Sequence, residues 1–531
     1  MTQVSPMYVT DPRCEFMLNP LGIDEREPHF SWALQDERRG QQSTGYRVLV
    51  ASSIEMLAAD KGDKWDSGII QSNAQLNVRY GGAILTSGER CYWKVRVWDD
   101  DDLPSAWIEP AWFEMGLLEQ SDWKSAWYGY PAGYTGQALY FRAFVELQKP
   151  VKRVRAYVAG LGLYEFYVNG HKANDHVLEP AQTNYGKRIL YTTIDITPYM
   201  HQGRNGVGAI IGHGWYGTPR LRAQIHIEYE DGDKQTCSMT RNGIDNWGDW
   251  TVGPSPITCD SIFDGETYDA RLERPGWCVP EDGESPFDPR QYWLAVPMDG
   301  PSGRMVAQTM EPIRVVSHVD PISVNEVRPG VFVFDMGQNM VGWVHLRVKG
   351  ERGTAVQVRF SENLSDEGDI DQGNLRSAKC TDTYILKGEG VEEWEPRFTY
   401  HGFRYVQMAG FPGIPGLDAI RGCVVHSDVA QHGHFECGNE LINRLQHAVL
   451  WTESGNLHGI PTDCPQRDER MGWLNDMTVR AEEANYNFDV NRLHSKWIAD
   501  IHDEQDPQNG AIPDTAPYRF GSRPADPVTM C

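Results

Sequence analysis

The sequence predicts a multidomain, mainly β protein that becomes helical near its C-terminal end. Three observations carry this reading. A chain of 531 residues exceeds what one hydrophobic core organises, so it divides into several domains. Through roughly the first four-fifths, apolar and polar residues alternate with period two, the pattern of half-buried strands. From Asn439 onward the apolar residues repeat with the period of a helix.

The first β region covers residues 1–118. CYWKVRVWD sends Cys91, Trp93, Val95 and Val97 to one side, and YRVLVAS (Tyr46 to Ser52) behaves similarly. Turn-rich breaks such as LTSGER suggest a small sandwich of the immunoglobulin or fibronectin type. The aspartates at 99 to 102 read as a solvated turn after a strand, with calcium as the alternative.

A second β region spans 119–310, where ALYFRAFVEL, VKRVRAYVAG and LYEFYVNG follow one another. Asn169-Gly170 is a hairpin signal, because both residues tolerate positive φ. Aromatics recur at Tyr157, Tyr164, Tyr167, Tyr185, Trp215 and Tyr216. Aromatic faces suit sugar C–H faces, but large aromatics are also the main currency of ordinary cores. A third β region covers 311–428, in which Gly337, Gly342 and Gly350 punctuate short strands.

In 429–531, ELINRLQHAVLW places Leu441, Leu445, Ala448 and Val449 on one helical stripe. MTVRAEEANY is a second helix. DVNRLHSKWIADIHDEQ is a third, with Leu493, Trp497 and Ile501 aligned, Ile498 beside them and Asp489 as N-cap. Three such helices do not close a helical domain, so the chain is expected to stop inside a fold.

Net charge is −25, which disfavours nucleic acid and anionic membranes as partners. The N-terminal residues lack the basic and apolar regions of a secretory signal, and no run of about 18 apolar residues suggests a membrane span. Ten cysteines are scattered without a C-x-x-C pair, as expected for reduced thiols in the cytoplasm.

The loop PTDCPQRDERMGWLNDM, Pro461 to Met477, gathers Asp463, Arg467, Asp468, Glu469, Arg470, Trp473 and Asp476 between two helices. Glycoside hydrolysis usually uses two carboxyl groups, one carrying a proton. Burial and neighbouring acids favour the protonated form, whereas Arg467 and Arg470 oppose it for whichever acid each pairs with. The competing reading is a solvated charged turn. Cys464 with His458 suggests a thiol nucleophile and base only weakly, and a structural cysteine is the plainer reading. No P-loop, G-x-S-x-G elbow or H-E-x-x-H motif is present.

TDCPQRDERMGWLND resembles the signature of the bacterial α-L-rhamnosidases, glycoside hydrolase family 78. PLGIDEREPHFSW, GLGLYEFYVNG, GHGWYG, FDMGQNMVGWV and EPRFTYHGFRYV are similar to the family's successive β-domains. The resemblance implies three β-sandwich or jelly-roll domains, the second related to rhamnose-binding modules, followed by the first helices of an (α/α)6 barrel. It implies an inverting hydrolase that removes terminal α-L-rhamnose from glycosides or polysaccharides. Glu469 would be the general acid, and Asp463, Arg467, Trp473 and Asp476 would contact or orient the sugar. Asn475 stands where the family often has glycine.

The family's general base lies later in the barrel, and no residue of this chain matches it. The resemblance therefore implies a chain truncated within the catalytic domain, inactive alone or active only with the missing part supplied; the competing class is a non-catalytic carbohydrate-binding protein. An open barrel face would favour a homo-oligomer. No cofactor or metal is implied for the acid loop; calcium in the second β-domain is an option.

Overall fold

The computed structural model describes residues 4–131, 136–239, 249–280, 292–519 and 521; Cys531, one of the ten cysteines, lies outside them. The chain forms two compact units, Met1–Trp123 with Met305–Thr309 and Lys124–Arg304 with Met310–Cys531. Among the described residues, no helix is long and apolar enough to cross a membrane.

The smaller unit is a sandwich. A five-stranded sheet, built around Gly45–Ala51, Arg90–Trp98 and Ala111–Met115, faces a three-stranded sheet of Tyr8–Cys14, His29–Gln35 and Val78–Arg79. Cys91, Trp93, Val95 and Val97 all point inward, as the alternation requires. Phe30 from the opposite sheet meets Trp93 with ring centroids 4.5 Å apart. The aspartate turn departs from expectation. Asp99 is buried rather than solvated. Its Oδ1 accepts the backbone N–H groups of Asp101 and Leu103 at 3.0 Å each, and its Oδ2 accepts from Ser5 and Arg38. Asp100, Asp101 and Asp102 remain exposed, so one acid ties the turn from inside.

In the larger unit, Leu139–Leu147, Tyr164–Val168 and Gly203–Ile211 pair in one sheet. Val151–Leu161 pairs with Arg188–Asp195 and Arg220–Tyr229 in the sheet facing it. Asn169 and Gly170 turn the hairpin at φ +48° and +84°. Tyr157, Tyr164 and Tyr185 are buried, which is the core reading of those aromatics, while Tyr167, Trp215 and Tyr216 are partly exposed.

The next sheet has ten strands and is organised by one 19-residue strand, Val331–Lys349. Gly337 and Gly342 were expected to separate short strands, but both lie inside it. A register shift between Asp335 and Met340 absorbs Gly337, as a bulge does. At Gly342, φ is +143° and a Cβ would stand 1.9 Å from the Cys423 carbonyl oxygen, so only glycine fits.

The same sheet takes in Ile257–Ser261 and Gly265–Asp269, residues assigned from sequence to the preceding domain. Gly265–Asp269 runs parallel to Thr381–Ile385. A buried polar latch holds this junction. The Glu266 N–H donates to Asp382 Oδ1 at 2.8 Å, and Glu266 Oε2 accepts the N–H groups of Arg397 and Phe398. His401 Nε2 lies 3.1 Å from Asp382 Oδ2. Burial pushes the Glu266 carboxyl up to about 8. Burial disfavours the His401 cation, but Asp382 outweighs it and raises His401 to about 9.

Both shifts are upward, so each group contributes stability that is complete below its unfolded value and is lost as pH rises through its folded value. The windows run from 4.5 to about 8 for Glu266 and from 6.5 to about 9 for His401. The melting temperature is therefore expected to fall between pH 6.5 and 9, and to fall less in Glu266→Gln. Calorimetric scans across that range check this; parallel curves for the two proteins would contradict it.

Among the described residues, three long helices follow the sheets: α1 (Glu440–Gly455), α2 (Leu474–Asn487) and α3 (Asn491–Glu504). Asn439 caps α1, its side chain accepting the Leu441 N–H at 3.0 Å. The α1 stripe is solvent-facing, with Leu441 73% and Leu445 64% exposed. Val490, not Asp489, occupies the N-cap of α3; Asp489 accepts from the Asn491 side chain instead. Leu493 and Trp497 are buried with Leu474, Met477 and Ala516, whereas Ile498 faces outward. Arg188 from the first of this unit's sandwiches reaches Asp500 of α3 at 2.7 Å, which fixes the helices against the β scaffold.

Candidate active site

The loop between α1 and α2 folds back on itself. Asp463 Oδ1 accepts the Met471 N–H at 2.7 Å, and the Asp463 N–H donates to the Met471 carbonyl at 2.9 Å. The intervening residues, which include Arg467 and Glu469, are thereby closed into a compact turn. Arg470 fastens that turn from beneath. It is fully buried, at φ +59°, and its guanidinium donates to the carbonyls of Ile262 (2.7 Å), Tyr400 (2.6 Å) and Arg467 (3.0 Å). Expected from sequence to pair with an acid, Arg470 instead binds backbone and the Tyr400 ring, 4.5 Å from its centroid.

Above this anchor stand four of the five residues singled out from sequence. Glu469 is 7% exposed. Its Oε1 accepts the Trp473 indole N–H at 3.0 Å, and its Oε2 accepts from Arg467 Nε at 2.9 Å. Arg467 Nη2 also reaches Asp463 Oδ2 at 3.2 Å, so one guanidinium spans two carboxyl groups. Burial pushes the Asp463 carboxyl upward. Trp473 is the N-cap residue of α2, which ties the indole to a rigid helix start. The fifth residue, Asp476, is exposed in the first turn of α2 and makes none of these hydrogen bonds. Its charge suits a helix N-terminus.

Asp468 turns away from the cluster and accepts from Ser377 Oγ. Hydrogen bonding by Ser377 holds its carboxyl below the usual range. The thiol–imidazole alternative fails on geometry and protonation. Burial pushes Cys464 up to about 12 and lowers His458 to about 3. His458 stacks on Tyr400 at 4.1 Å and donates Nε2–H to the Val425 carbonyl. Asp463, Cys464 and Glu469 form the group of potential metal-ligand atoms found among the described residues, all within 4.8 Å of one another. Arg467 already engages both carboxylates there, so the set is an ion-pair network rather than a cation cradle. It is not in the second β-domain, where calcium was the option.

Sequence reasoning missed Arg376. It comes from the sheet-bearing region before α1, and its Nη1 lies 2.7 Å from Glu469 Oε2. No local pattern marks NLRSAKC as part of a site 93 positions away, since the juxtaposition is made by the fold alone.

Four family profiles match consecutive parts of the chain. Residues 9–119 match a Rha78A-like N-terminal immunoglobulin domain, and 149–317 the α-L-rhamnosidase N-terminal domain. Residues 325–426 match the bacterial α-L-rhamnosidase concanavalin-like domain, and 430–529 the bacterial α-L-rhamnosidase 6 hairpin glycosidase domain. An α-L-rhamnosidase of Formosa agariphila is 34% identical over 93% of this chain and 55% of its own. One of Streptomyces avermitilis is 31% identical, over 97% of this chain and 66% of its own. The solved α-L-rhamnosidase of Dictyoglumus thermophilum superimposes with a TM-score of 0.93 at 39% identity, covering 99% of this chain and 60% of that one. The Streptomyces avermitilis enzyme, solved in complex with L-rhamnose, gives 0.89 at 30% identity, covering 97% and 66%. The chain thus spans between about half and two thirds of the length of these relatives.

Proposed function

The chain belongs to the bacterial α-L-rhamnosidase family, and on that premise we propose that it hydrolyses terminal α-L-rhamnose from rhamnosides, with Glu469 as general acid and inversion at the anomeric carbon. The observation that carries this reading is the holding of Glu469: a buried carboxyl fixed through both oxygens, on a loop riveted to the β scaffold. General acid catalysis needs the group placed before the substrate arrives, since loss of orientation costs rate directly. Asp463, Arg467 and Trp473 are placed to meet sugar hydroxyls around it, where charge-assisted hydrogen bonds give orientation. Asp476 would join them from the exposed start of α2.

Inversion needs a second carboxyl about 6.5–9.5 Å from the acid, leaving room for a water. Asp463 does not fit that role. Its ligand oxygen lies within 4.8 Å of that of Glu469, and Arg467 bridges the pair. Asp463 is accordingly assigned to the sugar and the base to a carboxylate outside this cluster. Because the described residues of this cluster supply no such base, a second reading has support, a rhamnose-binding protein without turnover.

Folded chain 1–531 incubated with 4-nitrophenyl α-L-rhamnoside separates the two. Release of nitrophenol, with L-rhamnose appearing first as the β-anomer by proton NMR, is the expected outcome. Rhamnose binding with no release would favour the second reading, and α-anomer as first product would overturn inversion.

A further inference from the structure

We infer that Arg376 is a positioning residue for Glu469, contributed by the ten-stranded β region rather than by the helical region that carries the acid. The inference rests on the reading of Glu469 as general acid.

Arg376 follows the turn Gly373–Leu375 and precedes the strand Thr381–Ile385. Its backbone lies at φ +59° and ψ −114°, a conformation a residue with a Cβ adopts only when its surroundings impose it. Those surroundings are visible. Leu375, Ala378 and Cys380 on either side are buried, so the segment is set into the core and not draped over it. The segment is also stitched to the acid loop at two further points. Ser377 Oγ donates to Asp468 Oδ2, and Cys380 Sγ donates to the Gln466 carbonyl at 3.1 Å. Arg376, Ser377 and Cys380 thus contact Glu469, Asp468 and Gln466 respectively, so two loops from different parts of the fold are registered against each other.

The consequence falls on the acid. Glu469 Oε2 receives two guanidinium donors, Arg376 Nη1 at 2.7 Å and Arg467 Nε at 2.9 Å, while Oε1 receives the single indole N–H of Trp473. An oxygen facing two cationic donors serves as acceptor and cannot also present a proton outward. The carboxyl is therefore held in one orientation, with Oε1 as the oxygen that turns toward a glycosidic oxygen. Arg467 alone does not fix this, because it is shared with Asp463. Arg376 breaks the symmetry. Its side chain is 53% exposed while that of Glu469 is 8% exposed, which places it at the rim, where it bears on the acid without filling the site.

A double-mutant cycle on chain 1–531 tests the assignment, using methyl α-L-rhamnoside as the probe because it carries the glycosidic oxygen Glu469 would meet. Dissociation constants are measured by calorimetry for Arg376→Met, Glu469→Ala and the double variant, with thermal unfolding confirming that each is folded. Arg376→Met is expected to weaken binding about fivefold while Glu469 is present and to have almost no effect in the Glu469→Ala background, a non-additivity typical of residues acting through contact. Arg376→Lys is expected to restore most of the loss. Equal losses in both backgrounds, or no loss in either, would overturn the inference and leave the reading of Glu469 standing. If the unsubstituted folded chain binds no rhamnoside, the reading of the site fails and the inference with it.

Discussion

Glu469→Gln is expected to lower turnover of alkyl α-L-rhamnosides by about 10²–10⁴-fold, the span general acid catalysis ordinarily supplies, while rhamnoside binding stays within about threefold. The substitution preserves volume and one carbonyl oxygen, so the arginine contacts have an acceptor to keep. Arg376 and Arg467 both aim at Oε2, and the amide oxygen is drawn there. The amide NH2 then faces the Trp473 N–H, donor against donor, and the 3.0 Å indole bond is lost. On the proposed reading, what disappears with the carboxyl is the proton for the leaving oxygen. An alkoxide cannot depart unaided, but 4-nitrophenolate can, so the loss should be much smaller on the nitrophenyl substrate. Steady-state rates on the methyl and nitrophenyl glycosides give the ratio directly. Undiminished turnover of the methyl glycoside would remove Glu469 from the acid's role, and an equal loss on both substrates would point to damaged binding geometry.

How far the sequence carried this picture depends on the range over which each signal acts. Cys91 to Val97 and Asn169-Gly170 were legible because alternation and a two-residue turn are set by neighbours in the chain. The acid loop was legible through its likeness to a family, and the fold does bring Asp463, Arg467, Glu469 and Trp473 together. The misreadings arise where tertiary contacts decide. Gly342 looked like a strand boundary, yet it continues a strand because the Cys423 carbonyl passes too close for a side chain. Leu441 and Leu445 formed a clean helical stripe but face outward, since periodicity shows that a face is apolar without naming what covers it. Arg470 was given a carboxylate partner because it sits among acids in sequence, whereas its turn points it down into carbonyls. Arg376 was invisible because nothing in residues 370–380 refers to residue 469.

Arg470→Met is expected to be the most destabilising single change in the acid loop, costing about 3 kcal/mol or more, because hydrogen bonds to a charged group contribute about 1.5–3 kcal/mol each and their loss strands buried acceptors. Methionine can occupy the path of the aliphatic stem, so the cavity term is small and the loss isolates the guanidinium. Stripped of it, the Tyr400 carbonyl loses Nη1 at 2.6 Å, the Ile262 carbonyl loses Nη1 at 2.7 Å and keeps the Thr399 hydroxyl at 3.1 Å, and the Arg467 carbonyl loses Nε at 3.0 Å. These three carbonyls belong to separate parts of the larger unit, so one side chain joins the acid loop to two β segments. The backbone at φ +59° compounds the effect, since an unpartnered loop would relax toward an ordinary conformation and carry Glu469 with it. Arg470→Lys should fall between, because one ammonium replaces part of a planar fork. Hydrogen exchange by mass spectrometry gives the local readout: protection across 460–473 should collapse in Arg470→Met, together with a lowered melting temperature, and survive in Glu469→Gln. Full protection of that loop in Arg470→Met would mean that the Asp463–Met471 hydrogen bonds hold it unaided. The two substitutions thus divide the loop by role. On the proposed reading, Glu469 serves the chemistry and its substitution is expected to spare the fold, whereas Arg470, next to it in sequence, is buried beneath the loop and is expected to decide whether Glu469 is in place.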